Sequence, residues 1–118
     1  VFVRSDLSAP QIAVQACHAC IDAGKSHLLD SDSTPNLVLL GVKNEKKLLE
    51  VSKKLKGLGI KHAQFYEPDV NGFTAIATEI ISGVSRRHFK QYQLFKLQPR
   101  RSWLAACLGF FVTFFGGK

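Results

Sequence analysis

The sequence predicts a small α/β domain: a three-layer α/β/α arrangement around a mixed four-stranded sheet. Three observations lead there. Apolar strand-like runs alternate with helix-period segments in the order β-α-β-α-β-β-α. The β-α-β units favour parallel pairing through right-handed crossovers. The connection before the fourth strand is short, which favours an antiparallel last pair. The 118 residues suit one domain, and a hydrophobic content of 46% is enough for a sizeable core.

Val1-Phe2-Val3 reads as the end of a short buried strand. Ser8-Ala9-Pro10-Gln11 starts a helix: Ser8 can cap it, Gln11 stands where a capping-box partner belongs, and Pro10 is tolerated in the first turn. That helix is expected to run to about Gly24, followed by a loop rich in Ser and Asp from Leu28 to Pro35. Leu37 to Val42 is continuously apolar, as in a strand covered on both faces. Asn44 can cap a second helix with Leu48, Val51, Leu55 and Leu58 as its apolar stripe, ended by Gly57 and Gly59. Ile60 to Tyr66 fits a third strand and Glu67 to Gly72 a turn, through Pro68-Asp69 and Asn71-Gly72. Phe73 to Ile81 fits a fourth strand, and Val84 to Tyr92 a short basic helix.

The net charge of +7 is unevenly placed. Residues 1–35 and 60–81 each carry a net −2, residues 36–59 carry +4, and residues 82–118 hold seven basic groups and no acid. A one-sided basic excess suggests a polyanionic partner, either nucleic acid or an anionic membrane surface, against the plainer reading of a solvated lysine face. Three cysteines are too few and odd in number for a disulfide framework, and no secretory signal pattern opens the chain, so a cytoplasmic location is expected.

The pattern breaks at Gln98-Pro99-Arg100-Arg101, which divides the chain into a domain at 1–97 and a tail at 98–118. Trp103 to Phe115 carries no charge and is too short to span a bilayer comfortably. It can dock on the domain, bury in an oligomer contact such as a homodimer, lie in a membrane interface behind the arginines, or come from a shifted reading frame; docking or a shifted frame is favoured over the membrane.

Cys17-His18-Ala19-Cys20 has the C-x-x-C spacing of metal and redox sites. Structural zinc needs four ligands, and no second ligand pair accompanies these; no metal is expected. A thioredoxin-like pair belongs at a helix N-terminus, and Cys17 lies more than two turns past Ser8. The cysteines read as small residues that let a helix pack closely on a sheet. Gln11, Gln15, His18, Asp22 and Lys25 form one polar stripe, and Ile12, Ala16, Ala19, Cys20 and Ala23 a separate small apolar face. By periodicity alone the polar stripe is the solvent side of an amphipathic helix.

Val3-Arg4-Ser5-Asp6-Leu7, followed by Ala13-Val14-Gln15-Ala16-Cys17-His18-Ala19, resembles the type 2 (archaeal and eukaryotic) peptidyl-tRNA hydrolases, in which a strand ending R-x-D-L leads into a helix carrying A-x-Q-x-x-H-A. Thr74-Ala75-Ile76-Ala77 is similar to the family's T-x-I-A on the last strand. A divergent eukaryotic branch is similar in Gln15 to Ala19, in Glu67-Pro68 and in Leu94-Phe95-Lys96. The resemblance covers about residues 1–97.

The resemblance implies hydrolysis of the ester joining a peptide to the 3′ ribose of tRNA, with no metal or organic cofactor. It implies His18 as the residue that activates water and Thr74 as an orienting hydroxyl, with Asp6, Gln11 and Gln15 in support; for the family's aspartate, the charge partner, the candidates are Glu67 and Asp69, of which Glu67 is favoured. Histidine suits the first role because imidazole exchanges protons near neutral pH. Lys46, Lys47, Lys53, Lys54, Arg86, Arg87 and Lys90 are the candidate contacts to the tRNA backbone. Three departures stand out. Gln11 occupies the place of a family lysine and brings no charge, the turn before Thr74 is longer, and Thr78-Glu79 replaces a Pro-Gly. An enzyme is the favoured reading; the alternative is a catalytically inactive protein of the same fold that binds RNA or a protein partner.

Overall fold

The computed structural model describes residues 1–96. The expectations for the hydrophobic run at 103–115 and the boundary at residue 97 lie outside the described residues.

Strand β1 (Phe2–Arg4) leads to helix α1 (Ala9–Lys25), strand β2 (Leu40–Val42), helix α2 (Glu45–Gly57), strand β3 (His62–Glu67) and strand β4 (Gly72–Thr78). A 3-10 turn at Pro68–Val70 joins β3 to β4, and a second at Gly83–Phe89 follows β4. The fold is α/β with a mixed four-stranded sheet in the order β2-β1-β4-β3. β1 and β2 are parallel, as a β-α-β unit requires; β4 is antiparallel to both β1 and β3. The last strand therefore inserts between the first and the third.

Both sheet faces are covered. Val3, Ala75 and Ala77 face α1 and meet Ile12, Ala19 and Ala23. Phe2, Leu40, Val42 and Ile76 face α2 and meet Leu48, Val51 and Leu55, with Phe89 and Tyr92 packed alongside. Alanines on both sides of the α1 contact let that helix lie close to the sheet. The caps form as the residue types require. Ser8 Oγ accepts from the Gln11 N–H, and Gln11 Oε1 accepts in return from the Ser8 N–H, a complete capping box. Asn44 Oδ1 accepts from the Lys47 N–H at 3.0 Å.

Two strands differ from expectation. β2 is only Leu40–Val42, and Leu37 and Val38 are 69% and 50% exposed. A strand is as long as the partner it pairs with, and β1 meets β2 only over Phe2–Arg4. β4 ends at Thr78 rather than Ile81, because its partner extends no further: Thr78 pairs with His62, the first residue of β3. The basic helix expected at 84–92 is a 3-10 turn over Gly83–Phe89. Beyond it, Leu94 bridges Leu40 antiparallel, the Gly41 N–H donates to Gln93 O and the Phe95 N–H to Leu39 O, so residues 93–95 cover the outer edge of β2.

Candidate active site

The register of β4 contains one irregularity. Phe65 pairs with Ala75, but the next residue of β3, Tyr66, pairs with Phe73. Thr74 is the extra residue of a β-bulge, which breaks the alternation of faces. Phe73 packs on the α2 side with the core around Phe2, while Ala75 packs on the α1 side. Thr74 turns to the α1 side with Ala75.

There it meets Gln15. The Thr74 hydroxyl donates to Gln15 Oε1 at 2.7 Å, and Gln15 Nε2 donates to Glu67 Oε1 at 2.8 Å. Thr74 is fully buried and Gln15 is 5% exposed. The two bonds fix the amide's orientation, because reversing it would set its oxygen against the carboxylate. Glu67 Oε2 also accepts from the Asp69 N–H at 3.4 Å, on the 3-10 turn that follows β3. The Gln15 amide holds the Glu67 carboxyl below the usual carboxylate range, against a smaller opposing cost of desolvation; the Asp69 N–H and the charge of nearby His18 add to the lowering.

His18 stands one helical turn beyond Gln15 and is partly exposed. Its ring lies 4.4 Å from that of Phe65, tilted by 48°. Phe65 precedes Glu67 by two residues on β3 and shares its face. The helix thus delivers Gln15 and His18, and the sheet delivers Phe65, Glu67 and Thr74, all at the end of the sheet where β1, β2 and β3 finish. This is the end where α/β domains place their ligands.

The remaining residues of interest are placed as follows. Gln15 lies in the buried stripe of α1 with Ile12, Ala19 and Ala23, not on the solvent side that periodicity favoured. Thr74 orients the Gln15 amide. Gln11 is exposed and turned back onto the helix start, where its amide oxygen also accepts from the Ser8 hydroxyl. Asp6 receives the Arg4 guanidinium at 2.9 and 3.0 Å, and Arg4 Nη1 donates to Phe73 O at 3.2 Å. Cys17 is exposed and Cys20 half-buried, and burial pushes the Cys20 thiol up. Lys46, Lys47, Lys53, Lys54, Arg86, Arg87 and Lys90 are all exposed, on α2 and the segment after β4. Lys43, Lys47, Lys54, Gln91 and one carboxylate, Glu50, border a hollow of about 410 Å3 also lined by Val42, Val51 and Tyr92. Among the described residues no helix is long and apolar enough to cross a membrane.

Sequence reasoning missed Phe65, Glu45 and Gly72. The carboxylate of Glu45 lies on the other side of the bulge, where its Oε2 accepts from the Phe73 N–H at 2.8 Å. Phe65 lacked a signal because an aromatic residue on a strand reads as core.

A layered α/β domain that gathers a histidine, a held carboxylate and an orienting amide at one end of its sheet is equipped for acid–base chemistry on a bound substrate. The family model described as Peptidyl-tRNA hydrolase PTH2 matches residues 1–85, and the chain belongs to that family. Comparison with curated proteins and with solved structures gave no match. Family membership supports a hydrolase with peptidyl-tRNA as the substrate class.

Proposed function

We propose that this protein hydrolyses the ester between the peptide and the 3′ ribose of peptidyl-tRNA. The observation that carries the proposal is the chain of hydrogen bonds from Thr74 through Gln15 to Glu67, set one helical turn from the partly exposed His18. In this reading a water beside His18 attacks the ester carbonyl. The imidazole accepts the water's proton as the C–O bond forms and returns a proton to the departing ribose oxygen, giving a free peptide acid and tRNA. Ionised Glu67 favours the positive charge that develops on His18, and the fixed amide keeps the carboxylate in place. Phe65 limits the tilt of the ring.

The tRNA backbone lies, in the same reading, over the exposed bases of α2 and the segment after β4. Lys43, Lys47 and Lys54 around the hollow meet phosphates there, Lys46 and Lys53 extend the surface along α2, and Arg86, Arg87 and Lys90 continue it.

The test is peptide release from an N-blocked aminoacyl-tRNA. His18→Ala should lower the rate by roughly 10²–10⁴-fold, the scale of a general base. An equal rate in the variant removes His18 from the chemistry. A second reading, a family-fold protein that binds RNA without hydrolysing it, is favoured by one observation: Gln11 spends its amide oxygen on Ser8 and brings no positive charge. RNA binding with no turnover in the intact protein supports that reading instead.

A further inference from the structure

The bulge at Thr74 is held from the far side of the sheet. The β1–β4 ladder ends at Val3–Ala75, so Phe73 has no β1 residue paired with it. Backbone polar groups at such a place need other partners. Side chains supply both: the Phe73 N–H donates to Glu45 Oε2 at 2.8 Å, and Phe73 O accepts from Arg4 Nη1 at 3.2 Å. Each side chain is itself anchored. Glu45 is in the first turn of α2, immediately after the Asn44 cap, and Arg4 is locked by its paired bonds to Asp6. The Glu45 carboxylate also fills the space above Gly72, where a Cβ would stand only 2.9 Å from Oε2. Glycine at that position leaves room for the carboxylate.

We infer that Glu45 and Arg4 are positioning residues that hold the Phe73 peptide by its N–H and C=O, and so fix the bulge that turns Thr74 toward Gln15. The inference rests on the proposed site for its catalytic consequence, but its structural half stands on the hydrogen bonds alone. The chain of effect is short. Glu45 and Arg4 set Phe73, Phe73 sets Thr74, Thr74 sets the Gln15 amide, and the amide sets Glu67. Through Glu45, the helix that carries the lysines is tied directly to the strand that carries Thr74.

Three variants separate this from a general loss of structure. Glu45→Gln keeps length and an acceptor oxygen. Glu45→Asp keeps the charge at the helix start but is one methylene too short to reach the Phe73 N–H. Gly72→Ala leaves Glu45 in place and pushes its carboxylate aside, against the free end of a flexible side chain rather than against backbone. Two readouts are taken on each folded variant: the NMR signals of the Gln15 side-chain amide and the Thr74 backbone amide, and kcat and KM for peptide release. Glu45→Asp and Gly72→Ala should both move the two signals and lower kcat by about 10- to 100-fold, with KM little changed. Glu45→Gln should stay close to the parent in both. In a Thr74→Val background, Glu45→Asp should have no further effect on kcat. Unmoved signals in Glu45→Asp and Gly72→Ala overturn the inference, as does a Gln variant as impaired as the Asp variant. If the parent protein shows no turnover, the hydrolase reading falls, and the NMR comparison still decides whether Glu45 positions Thr74.

Discussion

Gln15 is the residue on which the site turns, because both ends of one amide are committed. Its oxygen takes the Thr74 hydroxyl and its nitrogen serves Glu67. Gln15→Leu would leave the buried Thr74 hydroxyl without its acceptor. Urea unfolding should register a loss of about 1–3 kcal/mol, the usual consequence of an orphaned buried polar group. Glu67 gives a second expectation, in pH. Its carboxyl is held below the ordinary range in the folded state, so its stabilising effect is complete above that range and is lost as the pH falls through the lowered folded value. Melting temperatures of the parent and Glu67→Gln should therefore converge on acidification, with the parent ahead at neutral pH. A constant gap would mean that the carboxylate's charge is not what Gln15 holds. Motif order singled out His18, Gln15 and Thr74, and the fold brings Thr74 against Gln15. The burial of Gln15 was not legible, because a buried amide and an exposed one look alike to a periodicity argument. What distinguishes them is a partner some sixty residues away.

At the scale of elements, the caps and most of the apolar stripe of α2 were legible because they depend on neighbours in sequence. Ser8 with Gln11, Asn44, and the stripe of Leu48, Val51 and Leu55 form as their spacing dictates; Leu58, expected in the same stripe, caps the helix end and is 41% exposed. Strand lengths and the bulge were not legible, because each is settled by a pairing partner distant in the chain. The short β2 and its covering segment lead to a prediction. A Cβ at Gly41 would lie 3.0 Å from Phe95 Cδ1 and 3.6 Å from its Cα. Gly41→Ala should therefore loosen residues 93–95 from β2, since the Phe95 ring must shift by a few tenths of an ångström while the backbone behind it is already at contact distance. Hydrogen exchange at the Gly41 and Phe95 amides, which bond Gln93 O and Leu39 O, should speed up in the variant while exchange in β4 holds steady. Unchanged exchange at those two amides would mean that the edge contact tolerates the methyl group.

Across the whole molecule, the uneven charge of the sequence becomes a division between layers. The basic run of residues 36–59 becomes α2, while α1, on the opposite face, carries the histidine and the amide. Sequence alone gave the sign of the charge and the segments that hold it. The layer they share became clear only when the segment after β4 folded back against the α2 side of the core. RNA affinity should fall steeply with added salt, and Lys53→Ala should flatten the dependence of log K on log salt by about one unit, with the same effect on unrelated RNA sequences. A salt slope that Lys53→Ala leaves intact would move the backbone contact off α2.

The insertion of β4 between β1 and β3 also governs how the chain can come into being. On a growing nascent chain, β1 emerges well before β4 and then waits, one edge unsatisfied, until residues 75 and 76 have been made. Such long-range closure slows folding and keeps strand edges open to aggregation in the interval. A chain cut short before Thr78 is thus no smaller working version of the protein. When the cut falls before Gly72, it lacks the centre of its own sheet, with Thr74 missing and β1 and β3 left without the strand that joins them. For such fragments the expected fate is capture by chaperones or degradation, since the parts of this fold have no stable life apart from the whole.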